Sequence, residues 1–294
     1  MITVEGLRKT YGQHEAVRGI DLEVQAGEIF AFLGPNGAGK TTTVEILEGY
    51  RHPTAGKVEV LGADPARADR AWRARIGVML QSWQVEPALT VRESLRQFAG
   101  YYPRSLPVED VVRLVGLEEQ GDTRAGRLSG GQQRRLDLGI ALVGDPELLF
   151  LDEPTTGFDP AARRVAWQII STLRDAGKTV LLTTHYLDEA QALADRVAIL
   201  VDGRIRTEGP PESLVAGHAT RITFRLADSV ELPARFEPTA MADGRVELHS
   251  HEPLPVVYAL TAWAVENGVD LADLQVRRPS LEDVYLDLTA GTHG

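Results

Sequence analysis

Eight residues, Gly34-Pro35-Asn36-Gly37-Ala38-Gly39-Lys40-Thr41, carry the most specific chemistry in this sequence. Their spacing is G-x-x-x-x-G-K-[ST], in which glycines let backbone N–H groups turn inward around phosphate oxygens. A lysine at the seventh position reaches the outer phosphates, and the adjoining hydroxyl suits a magnesium ion. Thr42 continues the same turn. The apolar run Ile29–Leu33 reads as a buried strand entering this loop, and Thr41–Glu48 as the helix leaving it. The N-terminus of that helix adds a favourable dipole for anions.

A second chemical cluster closes the run Leu148-Leu149-Phe150-Leu151-Asp152-Glu153. Two carboxylates at the end of a hydrophobic strand, standing alone, read equally as solvated acids and as a site. Beside a phosphate loop, Asp152 gains a role in holding the magnesium water shell. Glu153 then becomes the general base that polarises an attacking water, an effect of about 10²–10⁴ in rate.

Further motifs occur in a fixed order. They are Tyr11, Gln81, Leu128-Ser129-Gly130-Gly131-Gln132, Gly157-Phe158-Asp159 and His185 within Thr183-Thr184-His185. Read singly, Tyr11 is an exposed loop tyrosine, Ser129 a helix N-cap, Gln81 polar surface and His185 a loop histidine. Together with the two clusters above they resemble the motif series of ABC ATPases, and the resemblance covers most of the chain.

That resemblance implies an α/β P-loop fold with a mixed core sheet, an antiparallel β subdomain, a helical subdomain and a small C-terminal α/β domain. It implies Tyr11 stacked on adenine and Gln81 at the metal or attacking water. Ser129, Gly130, Gly131 and Gln132 would face the γ-phosphate bound to the opposite subunit, with Asp159 nearby, and His185 would bond the γ-phosphate and hold Glu153 in line. The catalytic set is therefore Lys40, Gln81, Glu153 and His185, and the magnesium set Thr41, Gln81 and Asp152. ATP and Mg²⁺ are the expected ligands. With one loop and one signature per chain, the resemblance implies two copies paired head to tail around two ATP molecules.

Phe158 stands where the family usually has leucine, and Trp83 is unusual beside Gln81. In the family that segment borders the groove that receives a cytoplasmic helix of the membrane subunit. Trp83 reads equally as an anchor for that helix and as a core tryptophan. Near the C-terminus, Arg277-Arg278-Pro279-Ser280-Leu281-Glu282-Asp283-Val284-Tyr285-Leu286-Asp287-Leu288 is similar to a signature of daunorubicin-resistance-type ATPases, the partners of ABC-2 permeases. Bottom-up, Ser280 caps a helix with Asp283 completing the box, and Leu281, Val284, Tyr285 and Leu288 form its apolar face. The function implied is an exporter ATPase subunit, with an importer subunit or a soluble non-transport ATPase as alternatives.

The surrounding elements must position these residues. Met1–Lys9, Ile20–Val24, Val58–Leu61 and Ile76–Leu80 read as strands. Thr90-Val91-Arg92-Glu93 reads as a capping box opening a helical segment of about residues 82–145. Strands at 148–151, 180–184 and 197–201 then alternate with helices at 161–176 and 187–194, the pattern of a parallel sheet covered on both faces. Asp202-Gly203 reads as a hairpin turn into a strand at 204–207. A boundary near Gly217 divides residues 1–217 from 218–294. The second part carries strands at 222–226 and 245–248 and a helix over 254–267.

Composition narrows the classes. The 294 residues are 43% hydrophobic and 25% charged, and contain no cysteine, which excludes disulfides, thiol catalysis and cysteine-bound zinc. A formal net charge of −11 argues against a nucleic-acid partner. No apolar run approaches the ~18 residues of a membrane span, and the alternating start lacks the layout of a signal peptide. The expected location is therefore cytosolic, on the inner face of the membrane through permease subunits.

Overall fold

The computed structural model describes residues 1–80, 85–227, 230–240 and 245–290. Gln81 and Trp83 lie outside the described residues. Strands β1 (Ile2–Tyr11) and β2 (His14–Val24) form a hairpin, and β3 (Ile29–Leu33) leads through the glycine-rich loop to α1 (Lys40–Leu47). Next come β4 (Ala55–Val60), α2 (Arg70–Arg73) and β5 (Ile76–Met79), then helices α3 (Val91–Ala99), α4 (Val108–Leu114) and α5 (Gly130–Leu142). The chain alternates through β6 (Leu148–Asp152), α6 (Pro160–Asp175), β7 (Thr179–Thr184), α7 (Leu187–Leu193), β8 (Arg196–Val201) and β9 (Arg204–Gly209), followed by α8 (Pro211–Val215). It ends with β10 (Thr220–Arg225), β11 (Thr239–Ala240), β12 (Arg245–Ser250), α9 (Pro253–Asn267), β13 (Ala272–Arg277) and α10 (Leu281–Ala290). It divides into two compact units, Met1–Pro211 and Glu212–Gly294.

The first unit holds a six-stranded sheet of order β5-β6-β7-β3-β8-β9, parallel except for β9, which runs antiparallel to β8. Every residue of β3 and β7 is buried, which explains their continuous apolar or β-branched composition. Asp202 (φ 52°) and Gly203 (φ 75°) both adopt left-handed backbone, the geometry of the two-residue turn that joins β8 to β9. In such a sheet, ligands bind beyond the carboxyl ends of the parallel strands. The ends of β3, β6 and β7 are the ones that lead to Gly34, Glu153 and His185.

A second sheet, β2-β1-β4, is antiparallel and shares an apolar core with the first through Ile2, Val4, Leu7, Phe30, Phe32 and Phe150. Strand β2 begins at His14, ahead of the expected Ile20: Val17 is buried, but Arg18 and Gly19 before Ile20 interrupt the apolar–polar alternation. The capping box at α3 is formed: Thr90 N–H donates to Glu93 Oε2 (2.8 Å) and Glu93 N–H to Thr90 Oγ1 (3.2 Å). The three helices after it close on Gly139, where an added Cβ would lie 3.3 Å from both Leu95 and Val111.

The C-terminal unit is an antiparallel sheet of order β11-β12-β10-β13 with α9 packed on it through Leu260, Trp263 and Ala264 against Ile222, Phe224 and Leu248. Strand β13 alternates apolar and polar residues from Ala272 to Arg277, but none of them is buried, and the strand has no counterpart in the sequence analysis. In α10, Leu281 and Val284 are buried as the spacing predicts. The Ser280–Asp283 pair is half a box: the Ser280 N–H and hydroxyl both donate to Asp283 Oδ2, at 2.8 and 2.9 Å. Among the described residues, no helix is long and apolar enough to cross a membrane.

Candidate active site

The glycine-rich loop is shaped by close approach as well as by turn geometry. Gly34 has φ 155°, and a Cβ there would overlap the Leu200 carbonyl oxygen. Gly39 has φ 100°, and its Cβ would lie 2.5 Å from the Ala16 carbonyl oxygen. Strand β2 therefore lies directly against the loop, and only glycine fits at these two positions. Pro35 is half-buried, Asn36 and Gly37 form the exposed apex, and Ala38 is buried. Thr41 and Thr42 sit in the first turn of α1, Thr41 exposed and Thr42 half-buried.

Lys40 is buried, and its Nζ donates to the carbonyl oxygens of Gly34 (2.6 Å) and Pro35 (3.1 Å). Burial lowers its pKa, and the negative charges of Glu153 and Asp152 act in the opposite direction. The two acids from the end of β6 thus stand within electrostatic range of the phosphate-loop lysine, more than a hundred residues away in sequence.

Asp152 accepts a short hydrogen bond from the Thr183 hydroxyl, which pins the carboxylate to the end of β7. Glu153 adopts φ 48°, a strained conformation for a residue with a side chain. Its N–H donates to the Thr183 carbonyl and hydroxyl oxygens, both at 3.1 Å. Its Oε2 accepts from the Thr156 hydroxyl at 3.0 Å, and its Oε1 lies 3.1 Å from His185 Nδ1. The turn at Glu153 therefore aims one carboxylate oxygen at His185, whose side chain is 41% exposed.

Ser129 caps α5 in a reciprocal box: Gln132 N–H donates to Ser129 Oγ (3.3 Å) and Ser129 N–H to Gln132 Oε1 (2.9 Å). Among the described residues, a Cβ on Gly130 would meet nothing within 4 Å, whereas on Gly131 that atom would meet Ala162 at 3.7 Å. The signature thus stands beside the start of α6. Asp159 Oδ1 caps that helix, accepting from the N–H groups of Ala161 and Ala162 at 2.9 Å. Tyr11 pairs with His14 at the tip of the β1–β2 hairpin and is 40% exposed, with Lys9 Nζ 5.1 Å from its ring centroid.

Two residues of this region escape sequence reading. Arg134, one turn into α5, donates to the carbonyl oxygens of Leu80 (2.7 Å) and Glu153 (3.3 Å) and lies 3.5 Å from that of Asp152. It ties the signature helix to the ends of β5 and β6. Beside it, burial pushes Asp137 up to about 6, against the pull of Arg134. Glu48, at the end of α1, is 6% exposed, and its Oε2 has no hydrogen-bond partner among the described residues. Burial, then Asp152, then Glu45 push its carboxyl up to about 8. It borders a cavity of about 430 Å³ lined also by Tyr50, Phe98, Tyr101 and Tyr102. Only a signal that these side chains lose water would have marked them, and an arginine or glutamate in a helix carries none.

The donor set fits a magnesium nucleotide. Among the described residues no group of three histidine, cysteine or acidic side chains could enclose a metal by itself. Thr41 and Asp152 instead offer one hydroxyl and one carboxylate, the sparse protein set that suits Mg²⁺ carried largely by phosphates and water.

Comparisons with known proteins give the family and the fold. Residues 17–156 match the family described as ABC transporter, and residues 220–280 match the C-terminal domain of ABC transporter domain-containing protein-like. The chain is 39% identical over 296 residues to the Nod factor export ATP-binding protein I of Paraburkholderia xenovorans, covering 98% of this chain and 96% of the relative. It is 39% identical over 306 residues to the daunorubicin resistance ATP-binding protein DrrA2 of Streptomyces coeruleorubidus, covering 98% and 94%. Among solved structures, a dimeric ATP-binding cassette in a post-hydrolysis state, bound to ADP and Pi, aligns with a TM-score of 0.65 at 26% identity. That alignment covers 71% of this chain and 98% of the cassette.

Proposed function

Since the chain belongs to the ABC transporter family of ATP-binding subunits, we propose that it hydrolyses ATP as a head-to-tail pair and so drives an ABC-2-type exporter. Separate permease subunits form the path across the membrane and hold this chain on its inner face. The convergence of Lys40, Asp152, Glu153 and His185 beyond the ends of β3, β6 and β7 carries this reading.

The roles follow from the side chains. The loop from Gly34 to Thr42 wraps the phosphates with backbone N–H groups, and Lys40 exchanges its carbonyl partners for phosphate oxygens. Tyr11 offers a ring face to the base. Thr41 and Asp152 hold Mg²⁺, with Gln81 as a further ligand that lies outside the described residues. When bound, the ion neutralises charge on the β- and γ-phosphates. Glu153 takes a proton from the water whose oxygen attacks the γ-phosphorus, as the bond to the β-phosphate oxygen breaks and ADP leaves. His185 orients Glu153 and donates toward the γ-phosphate. Ser129, Gly130, Gly131, Gln132 and Asp159 act on the nucleotide held by the opposite copy.

The exporter assignment draws support from relatives named for Nod factor export and daunorubicin resistance, and from their near full-length similarity. An importer subunit would share the ATP site but not that pattern of relatives. The test is the Glu153→Gln variant with Mg-ATP on a sizing column, followed by co-purification of the wild-type chain with a co-expressed permease. A stable dimer of the variant and a permease-stimulated ATPase are expected. A variant that stays monomeric at saturating Mg-ATP would sink the paired-site reading.

A further inference from the structure

Glu189 is a fully buried acid of the first unit that touches the catalytic loops, and the mechanism above does not use it. It is 0% exposed, on α7, four residues after His185. Its Oε1 accepts from the hydroxyl of Thr155, itself 0% exposed, at 2.7 Å and from Trp167 Nε1 at 3.1 Å. Thr155 follows Glu153 by two residues, and Trp167 lies on α6, the helix that Asp159 caps. Nearby, the Thr184 hydroxyl accepts from the Tyr186 N–H at 2.9 Å and bears on the same carboxylate.

One oxygen thus gathers the loop after Glu153, helix α6 and the helix that follows His185. Placing a carboxylate there costs free energy that an apolar side chain would avoid, and its Oε2 has no hydrogen-bond partner among the described residues. A second contact joins α6 to the His185 loop: the Arg163 guanidinium of α6 lies 4.2 Å from the Tyr186 ring centroid, and that ring lies 4.1 Å from the His185 ring. The alignment of Glu153 with His185 depends on two loops that are not neighbours in sequence. A shared buried anchor is what would keep them in register, and a misplacement near 1 Å can cost about 10²-fold in rate.

We propose that Glu189 is a positioning residue for hydrolysis: by accepting hydrogen bonds from Thr155 and Trp167 it locks the Glu153 loop to the His185 loop. The inference rests on the ATPase reading for its kinetic consequence, though the locking itself is a property of the loops.

Thr155→Val removes one donor and keeps the shape. It should lower kcat about tenfold with KM for ATP within twofold, and with a melting temperature near that of the wild type. Glu189→Ala should lower kcat further, and the double variant should be no worse than Glu189→Ala alone, because the two changes delete one interaction. Glu189→Gln keeps an acceptor oxygen and should stay within threefold of wild type. Backbone hydrogen exchange of residues 153–157 and 184–186 should rise together in Thr155→Val. Wild-type kcat in Thr155→Val, multiplicative losses in the double variant, or exchange that rises in one loop alone would overturn the assignment. If the wild-type chain shows no ATPase, the functional reading fails, and the exchange experiment still decides whether Glu189 joins the loops.

Discussion

His185 Nδ1 stands 3.1 Å from Glu153 Oε1, across 32 residues of sequence. The contact is made possible by the left-handed backbone at Glu153, which turns the carboxylate from the end of β6 toward the end of β7. His185→Ala should therefore lower kcat by about 10²-fold, within the range of a positioned acid–base group, with ATP affinity changed far less. Steady-state kinetics beside fluorescent-nucleotide binding separates the two quantities. A variant with unchanged kcat would show that the imidazole does not orient Glu153.

Gly39→Ala tests the close approach of β2 to the phosphate loop. The added methyl would sit 2.5 Å from the Ala16 carbonyl oxygen at a φ of 100°. Backbone strain of that kind costs about 1–3 kcal/mol. Chemical denaturation should report that loss, and Mg-ATP affinity should fall at least tenfold. An alanine variant with wild-type affinity would mean that the loop has room that the structure denies it.

Glu48 makes stability depend on pH in a defined direction. Its carboxyl is raised from an ordinary 4.5 to about 8, so the folded chain keeps a proton that the unfolded chain releases. Stability from this group is complete below about 4.5, falls as pH rises through the interval, and is gone above about 8. Glu48→Gln removes the dependence. Its stability relative to wild type should rise between pH 5 and pH 8.5 by roughly 2–4 kcal/mol. Parallel urea titrations at the two pH values measure this, and a difference that does not change with pH would contradict it.

Arg134→Leu cuts the link from the signature helix to the carbonyls of Leu80 and Glu153 and leaves Asp137 without its cation. A loss of about 2 kcal/mol in stability is expected, with kcat reduced tenfold or more. Arg134→Lys should recover only part of the rate, since an ammonium cannot span two strand ends as a guanidinium does. Full rescue by lysine would show that charge alone matters there.

The residue pattern by itself determined whatever depends on neighbours in the chain. The spacing of Gly34, Gly39 and Lys40, the caps at Thr90 and Ser129, the alternation of strand and helix, and the Asp202-Gly203 turn are local chemistry, and local chemistry is written in order. Family resemblance then supplied roles for Tyr11, Ser129 and His185 that no periodicity contains. Tertiary structure decided what depends on distance through space. It set β3 between β7 and β8, turned Glu153 onto His185, fastened Asp152 to Thr183, and buried Glu48 and Glu189 where water cannot solvate them. Polar residues in helices look alike along the chain. Only packing settles which of them lose their water, and hence which ones tune the site.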